Sequence, residues 1–409
     1  MASPFEDQAA ALSANCVDVL PEGELAKRLE KADREGRPLR VKLGLDPTAP
    51  DIHLGHCVVL QKLRQFQDLG HTAVLIVGDY TARVGDPSGR SKTRPVLSGD
   101  EIDANAMTYQ EQAFRVLDPE RTEVRWNGEW LAELTPEDMF RLMRMVTVSQ
   151  ILEREDFARR YSTQQPISML ELLYPLMQGY DSVAVNSDIE FGGTDQLFNL
   201  LMGRTLMPNY GLEPQLVMTT PILPGTDGVQ RMSKSIGNYI GVADDPGEMF
   251  GKVMSIPDEA MPEYYRLATG LPPDEAAGYV QGVESGATHP NHAKRTLARF
   301  VIERFYDGAA ADAAEARFDT MFKRHELPDD IAEVTIGDDD LNDAGKVFLP
   351  AFLTTHLGVP SSSEARRLLQ GGGVKVDGEQ LPGGELEVSP DTLRGHVVQV
   401  GKRRFVRVR

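Results

Sequence analysis

Residues 39–81 read LRVKLGLDPTAPDIHLGHCVVLQKLRQFQDLGHTAVLIVGDYT, and their apolar pattern indicates the fold. Two short apolar runs, LRVKLGL and TAVLIVGDYT, are typical of buried strands, and the residues between them have the length of a helix that Gly70 ends. Two strands joined by a helix lie parallel, with a right-handed crossover. The stretch therefore predicts the start of an α/β fold with a Rossmann-type, doubly wound parallel sheet, whose ligands bind beyond the carboxyl ends of the strands.

The sequence after this unit completes the sheet. A helix-rich insertion at about 98–180 is followed by two strand-like stretches, SDIEF and QLVMTTPIL, which enclose a helix from about Asp195 to Met207. We therefore predict that residues 1–240 form one catalytic domain that carries a helical insertion.

Two further parts follow this catalytic domain. Residues 241–325 have a helical pattern and are predicted to form a separate helical domain, which an acidic, turn-rich linker at 326–347 separates from the last part. Residues 348–409 predict a small α+β domain, because SSSEARRLLQGGG has the form of a capped helix and both VKVDGEQL and HVVQVGKRRFVRVR have the form of hairpins.

Composition excludes several classes of protein. Only two cysteines, Cys16 and Cys57, occur among 409 residues, so neither a disulfide framework nor a four-ligand zinc site can be built from them, and we predict no metal ligands. No apolar run reaches the 18 or so residues of a membrane span, and the first residues have neither a basic nor an apolar targeting segment. We expect a cytoplasmic protein that does not enter a membrane.

The charge of the chain is unevenly distributed. A net charge of -19 argues against generic binding of nucleic acid, yet residues 348–409 carry nine Lys or Arg against six Asp or Glu and end in GKRRFVRVR. An acidic body with a basic tail indicates a polyanionic partner that is bound locally. The alternative is a solvated charge run on a surface strand.

Two short motifs carry the chemistry. In HLGH, His53 and His56 project from one face at a helix start, where phosphate binds readily, and Gly55 allows a flat ligand to approach the backbone. By themselves they are also compatible with a helix N-terminus that faces solvent. The second motif, RMSKS, follows the last apolar strand in a glycine-flanked loop. Such a loop is suited to be a lid that brings Arg231 and Lys234 onto a leaving pyrophosphate.

Together HLGH and RMSKS resemble the two signature sequences of class I aminoacyl-tRNA synthetases. The resemblance implies that His53 and His56 stabilise the phosphate chain of ATP, and that Arg231 and Lys234 neutralise the charge that develops on pyrophosphate. RMSKS has arginine where the first lysine of this motif usually stands, which keeps the charge but changes the hydrogen-bond geometry.

Three further stretches bear on the substrate. YPLMQGYD belongs to a helix predicted to begin near Pro166, and it aligns Tyr174, Gln178 and Asp181 on one face, unless that face is merely solvated. GDPSGRSKTR follows a strand end and offers a carboxylate for an α-amino group and cations for phosphates, namely Asp86, Arg90, Lys92 and Arg94. FGGTDQLFN contributes Asp195 and Gln196 at a helix start.

These stretches narrow the resemblance to the bacterial tyrosyl-tRNA synthetases, along essentially the whole chain. That family implies a phenol bond to Asp181, an ammonium site at Tyr174, Gln178 and Asp86, and a contact of Gln196 with the carboxylate or α-phosphate. Arg90 and Arg94 join the two histidines and the lid cations as expected catalytic residues. The expected ATP-binding residues are Gly44, Asp46, Thr48, His53, Gly55, His56, Gly193, Asp195, Met232 and Lys234.

Lys42 departs from one branch of this family, which has a tyrosine at this position that also bonds the phenol. We place Lys42 among the expected tyrosine-binding residues, with two alternatives: it pairs with Asp181 and orients that carboxylate, or it points elsewhere. The chain therefore resembles the other bacterial branch.

The C-terminal segment resembles an S4-type RNA-binding module, the alternative being a small appendage with surface charge. Its expected tRNA contacts are Arg366, Arg367, Lys375, Lys402, Arg403 and Arg404.

The function implied is tyrosine–tRNA ligase activity with ATP, Mg²⁺, L-tyrosine and tRNA(Tyr), and the family resemblance implies a homodimer. The alternatives are a tryptophanyl-tRNA synthetase, against which Asp181 and Tyr174 argue, and a synthetase-like RNA-binding protein without catalysis. The latter predicts damage to His53, His56 or Lys234, and all three are intact.

Overall fold

A computed structural model describes residues 3–47, 51–86, 99–234, 236–323, 331–337, 340–342, 344–381, 385–401 and 404–409. The chain divides into two compact units, Met1–Glu315 and Ala316–Arg409. No helix among these described residues is both long and apolar enough to cross a membrane.

Unit Met1–Glu315 contains a six-stranded sheet and most of the helices. Its strands are β1 Asp18–Leu20, β2 Arg40–Leu45, β3 Thr72–Val77, β4 Thr122–Trp126, β5 Ile189–Gly193 and β6 Leu216–Thr220. The helices up to β6 are α1 Pro4–Ser13, α2 Glu24–Glu35, α3 Leu54–Asp68, α4 Thr81–Val84, α5 Gly99–Ala113, α6 Gly128–Leu131, α7 Pro136–Arg144, α8 Val148–Ile151, α9 Glu155–Ser162, α10 Tyr174–Val185 and α11 Leu197–Leu206. The later helices are α12 Pro246–Met254, α13 Met261–Leu267, α14 Pro273–Glu284, α15 Pro290–Glu303 and α16 Gly308–Lys323, the last of which continues past Glu315.

The strand order is β1-β6-β5-β2-β3-β4, and the five strands from β6 to β4 are parallel. The chain proceeds from β2 outward through β3 and β4, and then returns to the other side of β2 to form β5 and β6. The order in which the chain adds strands to the sheet therefore reverses between β2 and β5, and ligands of doubly wound sheets bind at this reversal.

The expectation of a wholly parallel sheet is wrong at one edge, because β1 pairs antiparallel with β6. The helix-rich insertion also contributes a strand to this sheet, since β4 lies within it and pairs with β3. Both are edge strands whose residues are only half-buried. They lack the continuous apolar run that marks the central parallel strands, and so leave little trace in the sequence.

The two faces of the sheet differ in what they bury. One face, with Leu43, Leu75 and Phe191, belongs to the main apolar core beneath α2 and α3. The opposite face has a row of residues in register across four strands, Val74, Lys42, Glu190 and Val217. A charged pair thus lies in the middle of a buried sheet, on the face opposite the main core.

Helix α10 begins at Tyr174 and not near Pro166, after a 3₁₀ turn at Glu171–Leu173. The physical reason is Pro175, which is tolerated in the first turn of a helix but would break a helix that had begun nine residues earlier. The predicted alignment of Tyr174, Gln178 and Asp181 is unaffected, because all three lie within α10.

The segment after residue 240 is helical as expected, and α12 to α15 belong to the same compact unit as the sheet. A separate helical domain at 241–325 stays a prediction.

Unit Ala316–Arg409 has its own core and sheet. Its strands are β7 Glu333–Val334, β8 Val347–Phe348, β9 Val374–Val376, β10 Glu379–Gln380, β11 Glu387–Val388, β12 Val397–Val400 and β13 Arg404–Val408, and its helices are α17 Leu349–Leu357 and α18 Ser362–Gln370. The capped helix and both hairpins are confirmed, since Ser361 Oγ accepts from Glu364 N–H at 3.2 Å, β9 pairs with β10 and β12 pairs with β13. Strand β7, within the segment predicted as linker, pairs with β13 in this sheet.

Candidate active site

A cavity of about 640 Å³ lies at the carboxyl ends of the central strands, on both sides of the reversal between β2 and β5. Its size is that of small-molecule sites in proteins. Among the residues that line it are Gly44, Asp46, Asp51, His53, Gly55, His56, Thr81, Asp86, Asn127, Tyr174, Gln178, Asp181, Gly193, Asp195, Gln196, Arg231, Met232 and Lys234. Both signature motifs and the predicted substrate pocket therefore meet in one place.

The two histidines of HLGH lie against each other at the start of α3. His53 is the N-cap residue, and its ring stacks on that of His56 with centroids 3.9 Å apart. The Nδ1 atom of His56 accepts a hydrogen bond from the backbone N–H of His53 at 3.2 Å. Because Nδ1 is the acceptor, the proton of a neutral His56 is on Nε2, which is available as a donor.

Burial keeps both histidines uncharged. It lowers the pKa of His53 to about 2, with further contributions from His56 and Arg231, and lowers the pKa of His56 to about 4. At neutral pH the pair therefore acts through hydrogen bonds and not through positive charge. The Nδ1 atom of His53 is buried and has no hydrogen-bond partner among the described residues.

Gly55 leaves room for the ring of His53. A Cβ atom at Gly55 would lie 3.1 Å from both Nδ1 and Cε1 of His53, which is closer than side chains normally approach. We expect Gly55→Ala to displace this ring and to raise KM for ATP about tenfold or more, with tyrosine affinity unchanged within about twofold. Gly251 of α12 is a matched control, because a Cβ there meets no atom within 4 Å. Equal losses for ATP and tyrosine in Gly55→Ala would contradict this role.

The RMSKS loop brings its cations to the same cavity. Arg231 Nη1 lies 3.2 Å from Asp195 Oδ2, and Lys234 forms an ion pair with Asp51, which is two positions before His53. The Lys234 and Asp51 side chains are 42% and 34% exposed, so their pairing contributes little to stability, about 1 kcal/mol at most. The loop is thus held near the histidines by weak contacts that a polyanionic ligand can replace.

Asp181 is the most deeply buried carboxylate that lines the cavity, with 3% of its surface exposed. It accepts hydrogen bonds from Trp130 Nε1 at 2.8 Å and from Asn127 Nδ2 at 3.2 Å. Sequence reasoning missed both donors. Neither belongs to a motif, and only position marks them: Asn127 directly follows β4 and Trp130 lies in α6, beyond the carboxyl end of that strand, where parallel sheets carry binding residues.

A hydrogen-bonded chain connects Asp181 with Tyr174. Asn127 donates to Thr81 Oγ1 at 3.0 Å, Thr81 donates to Asp46 Oδ1 at 2.7 Å, and Tyr174 Oη donates to Asp46 Oδ2 at 2.8 Å. Burial and the Asp46 charge raise the pKa of Tyr174 well above its usual value, so its hydroxyl remains a donor. These bonds join α10 to the ends of β2 and β3 and hold the wall of the cavity in one arrangement.

A second polar group that lines the cavity surrounds Asp86. Gln196 Nε2 donates to Asp86 Oδ2 at 2.8 Å, and Asn199 Nδ2 donates to Gln196 Oε1 at 3.0 Å. The buried guanidinium of Arg154 lies 3.6 Å from Asp86 Oδ1 and donates to Asn199 Oδ1 at 3.1 Å. Sequence reasoning also missed Arg154, which no motif marks.

Lys42 does not line the cavity, so direct contact with a substrate is not what the geometry supports. Its ammonium group pairs with Glu190, with Nζ and Oε1 2.8 Å apart, and Asp181 is held by other donors. Of the two alternatives for Lys42, the structure favours the one in which it points away from Asp181.

Several expected site residues lie outside the described residues: Thr48, Arg90, Lys92, Arg94, Lys402 and Arg403. In the C-terminal unit, Arg366 and Arg367 of α18 and Arg404 of β13 are exposed, whereas Lys375 of β9 is half-buried.

Burial raises the pKa of Asp181 to about 7, although the charge of Lys42 and the bonds from Trp130 and Asn127 act in the opposite direction. A carboxyl group with a raised folded-state pKa stabilises the fold fully below its ordinary pKa of 3.8, and that contribution is lost as the pH rises through about 7. The parent protein should therefore lose unfolding free energy between pH 5 and pH 8, and Asp181→Asn should not. We expect the difference in unfolding free energy between variant and parent to shift by roughly 2 kcal/mol in favour of the variant over this range. Denaturant titrations at both pH values measure this difference. A pH-independent difference would show that Asp181 has an ordinary pKa.

Comparison with known proteins shows the family to which the chain belongs. Residues 34–323 match the family model described as tRNA synthetases class I (W and Y). The chain is 53% identical over 391 residues to a tyrosine–tRNA ligase of Moorella thermoacetica, covering 96% of this chain and 93% of that one. It is 50% identical over 406 residues to the tyrosine–tRNA ligase of Thermotoga maritima, covering 98% and 97%.

Solved structures show the same fold. The tyrosyl-tRNA synthetase of Archaeoglobus fulgidus complexed with L-tyrosine matches with a TM-score of 0.62 at 23% identity, over 76% of this chain and 99% of that one. A C-terminally truncated mitochondrial tyrosyl-tRNA synthetase of Aspergillus nidulans also has a TM-score of 0.62, at 22% identity, over 78% and 95%. The 53% identity extends over 96% of the chain, and the family model matches residues 34–323. The chain therefore belongs to the class I aminoacyl-tRNA synthetases and, among them, to the tyrosine–tRNA ligases.

Proposed function

We propose that the cavity at the carboxyl ends of β2 and β5 holds tyrosine with its phenol at Asp181 and ATP along HLGH, and that RMSKS closes over the phosphates. As a tyrosine–tRNA ligase the protein uses tyrosine, ATP and tRNA(Tyr). The observation that carries the proposal is the buried Asp181 carboxylate in the wall of the cavity. Trp130 and Asn127 orient it, and it still has acceptor capacity for a phenol hydroxyl.

The ammonium group of tyrosine is assigned to Tyr174, Gln178 and Asp86. Tyr174 donates its proton to Asp46, so the lone pairs of its hydroxyl oxygen are free to accept from the ammonium. Asp86, which also lines the cavity, adds a negative charge and accepts a hydrogen bond from Gln196 at 2.8 Å. Gln196 is therefore suited to meet the substrate carboxylate or the α-phosphate, as its sequence position predicts.

ATP is assigned to the part of the cavity lined by Gly44, Asp46, Gly193, Asp195 and Met232. The neutral histidines donate hydrogen bonds to the phosphate chain, and the positive charge comes from Arg231 and Lys234. When ATP binds, its phosphates would replace Asp195 as the ion-pair partner of Arg231 and Asp51 as the partner of Lys234. Arg90, Arg94 and Thr48 keep their predicted phosphate and ATP roles.

In the first step, a carboxylate oxygen of tyrosine attacks the α-phosphorus of ATP, and the bond from that phosphorus to the pyrophosphate oxygen breaks. Tyrosyl-adenylate and pyrophosphate result, with no covalent bond to the protein. In the second step, a hydroxyl of the 3′-terminal adenosine of tRNA attacks the tyrosyl carbonyl and AMP leaves. The chain contributes orientation and stabilisation of developing charge, which suffice for such reactions.

Magnesium is proposed to enter with ATP. The described residues contain no group of three or more His, Cys, Asp or Glu that could hold a metal ion. Mg²⁺ often binds through one or two carboxylates and substrate phosphates. The carboxylates of Asp46 and Asp195 line the same cavity as the side chains that are assigned to the phosphates of ATP. When bound, the ion neutralises negative charge on the pyrophosphate.

A homodimer is supported by exposed apolar side chains concentrated on α7 to α9 and the segment before α10, namely Phe140, Met143, Val148, Tyr161, Met169 and Leu170. Sedimentation velocity of the full-length protein tests the homodimer.

Contact of the C-terminal unit with tRNA phosphates is supported by the exposed Arg366, Arg367 and Arg404. A cytoplasmic location stays a prediction.

The direct test of the site is ATP–pyrophosphate exchange by the full-length protein with single amino acids. Tyrosine should drive exchange, and tryptophan and phenylalanine should drive little. A folded protein that exchanges equally with tyrosine and tryptophan would refute the assignment of Asp181 to the phenol. The same preparation without amino acid is the background control.

A further inference from the structure

The ion pair between Lys42 and Glu190 lies directly behind the substrate cavity. The two residues are cross-strand neighbours on β2 and β5, at the reversal of the sheet, and both side chains are 0% exposed. Neither side chain lines the cavity. Gln178 of α10 does line it, and it touches both members of the pair.

The hydrogen-bonding capacity of this pair is taken up within the protein. The three protons of the Lys42 ammonium are donated to Glu190 Oε1 at 2.8 Å, Ser182 Oγ at 2.8 Å and the backbone oxygen of Gln178 at 3.0 Å. Glu190 Oε2 accepts from Ser182 Oγ at 2.9 Å and from Gln215 Nε2. Lys42 therefore has no proton left for a substrate.

The pair determines which way the Gln178 amide faces. Gln178 Nε2 donates to Glu190 Oε1 at 3.3 Å. A carboxylate oxygen only accepts hydrogen bonds, so the NH₂ end of the amide must face Glu190 and the carbonyl end must face away from it. Meanwhile Lys42 holds α10 at the backbone oxygen of Gln178 and at Ser182, one turn later. Amide orientation and helix position are thus set by the same two charges.

A buried ion pair is by itself weak evidence of a contribution to stability. Replacing a buried ion pair by apolar side chains of similar volume is often neutral or stabilising, because removing two charges from water costs as much as their attraction returns. The other residues of this row, Val74 and Val217, are apolar. A charged pair at this point is therefore better explained by the orientation it imposes.

We propose that Lys42 and Glu190 are positioning residues that fix the Gln178 amide with its carbonyl oxygen toward the substrate ammonium group, and so make the enzyme specific for an α-amino acid. The proposal rests on the assignment of Gln178 to the ammonium site. It predicts that the pair matters for ligands that have the ammonium group and not for those that lack it.

The test compares tyrosine with 3-(4-hydroxyphenyl)propanoate, which keeps the phenol and the carboxylate but lacks the ammonium group. The variant is the double substitution Lys42→Met/Glu190→Met, which preserves side-chain volume and leaves no unpaired charge. We expect KM for tyrosine in pyrophosphate exchange to rise tenfold or more. The inhibition constant of the analogue and KM for ATP should stay within about twofold.

A matched control is Arg160→Met/Glu171→Met. This pair is also buried, with Nη1 and Oε1 2.8 Å apart, but its other hydrogen bonds go to the backbone of Pro166 and Ser168 and not to Gln178. Its removal should leave the ratio of tyrosine to analogue affinity unchanged. If the Lys42 and Glu190 double variant fails to fold, Lys42→Met/Glu190→Gln replaces it, because it keeps a polar partner for Gln178 and leaves no unpaired charge. Its ratio of tyrosine to analogue affinity should fall at least threefold, because a neutral amide holds Gln178 less firmly.

Gln178→Ala separates this proposal from the one it rests on. If Gln178→Ala loses affinity for tyrosine selectively but the pair variants do not, positioning by Lys42 and Glu190 is refuted and the ammonium assignment stands. If Gln178→Ala weakens tyrosine and the analogue equally, the ammonium assignment itself fails, and the positioning role fails with it. Selective loss in both kinds of variant supports the proposal.

Discussion

Asp181→Ala is expected to reduce the preference for tyrosine over phenylalanine by two orders of magnitude or more, measured as the ratio of kcat/KM in pyrophosphate exchange. With Asp181 present, bound phenylalanine leaves a buried carboxylate without the hydroxyl that should meet it. Tyrosyl-tRNA synthetases as a family prefer tyrosine over phenylalanine by a factor on the order of 10⁵. That factor describes the family and does not follow from the geometry of this site. In Asp181→Ala that carboxylate is absent, so bound phenylalanine no longer leaves a buried charge without a hydrogen-bond partner.

Asp188→Ala is the matched control for this change. Asp188 is also a buried carboxylate and directly precedes β5, but it pairs with Arg37 and does not line the cavity. Its loss should lower stability and leave the tyrosine to phenylalanine ratio unaltered. An unchanged ratio in Asp181→Ala would mean that the phenol hydroxyl is recognised elsewhere.

Lys234→Ala is expected to slow tyrosyl-adenylate formation by about 10²- to 10³-fold while tyrosine affinity stays within about twofold. Lys234 reaches the cavity from the RMSKS loop and forms a partly exposed ion pair with Asp51 there. A cation that meets the pyrophosphate as its charge develops stabilises the transition state more than the bound substrates. Single-turnover adenylate formation and equilibrium tyrosine binding measure the two quantities separately.

Lys27→Ala serves as its control, because Lys27 is also an exposed lysine in an ion pair, with Glu24 at 2.7 Å, but lies on α2. We expect no change in either quantity. If Lys234→Ala weakened tyrosine binding as much as it slowed adenylate formation, the residue would contribute to general binding and not to the chemical step.

Much of the site could be predicted because its parts are local in sequence. HLGH, RMSKS and the spacing of Tyr174, Gln178 and Asp181 each occupy one loop or one helical face, and the carboxyl ends of parallel strands bring such segments together. Charge state was not predictable in the same way. The histidines are neutral because the folded chain buries them, and no feature of HLGH itself contains that information.

The sequence alone determined the family, the parallel unit of β2, α3 and β3, and the meeting of both signatures at one sheet edge, because each depends on apolar periodicity or on a short contiguous motif. Tertiary structure alone decided the partners: Glu190 for Lys42, 148 positions away along the chain, and Trp130 and Asn127 for Asp181. It also decided the edge strands β1 and β4, whose half-buried residues have no continuous apolar run. These contacts join distant segments, and only the packing of the folded chain selects among the many polar pairings that a sequence permits.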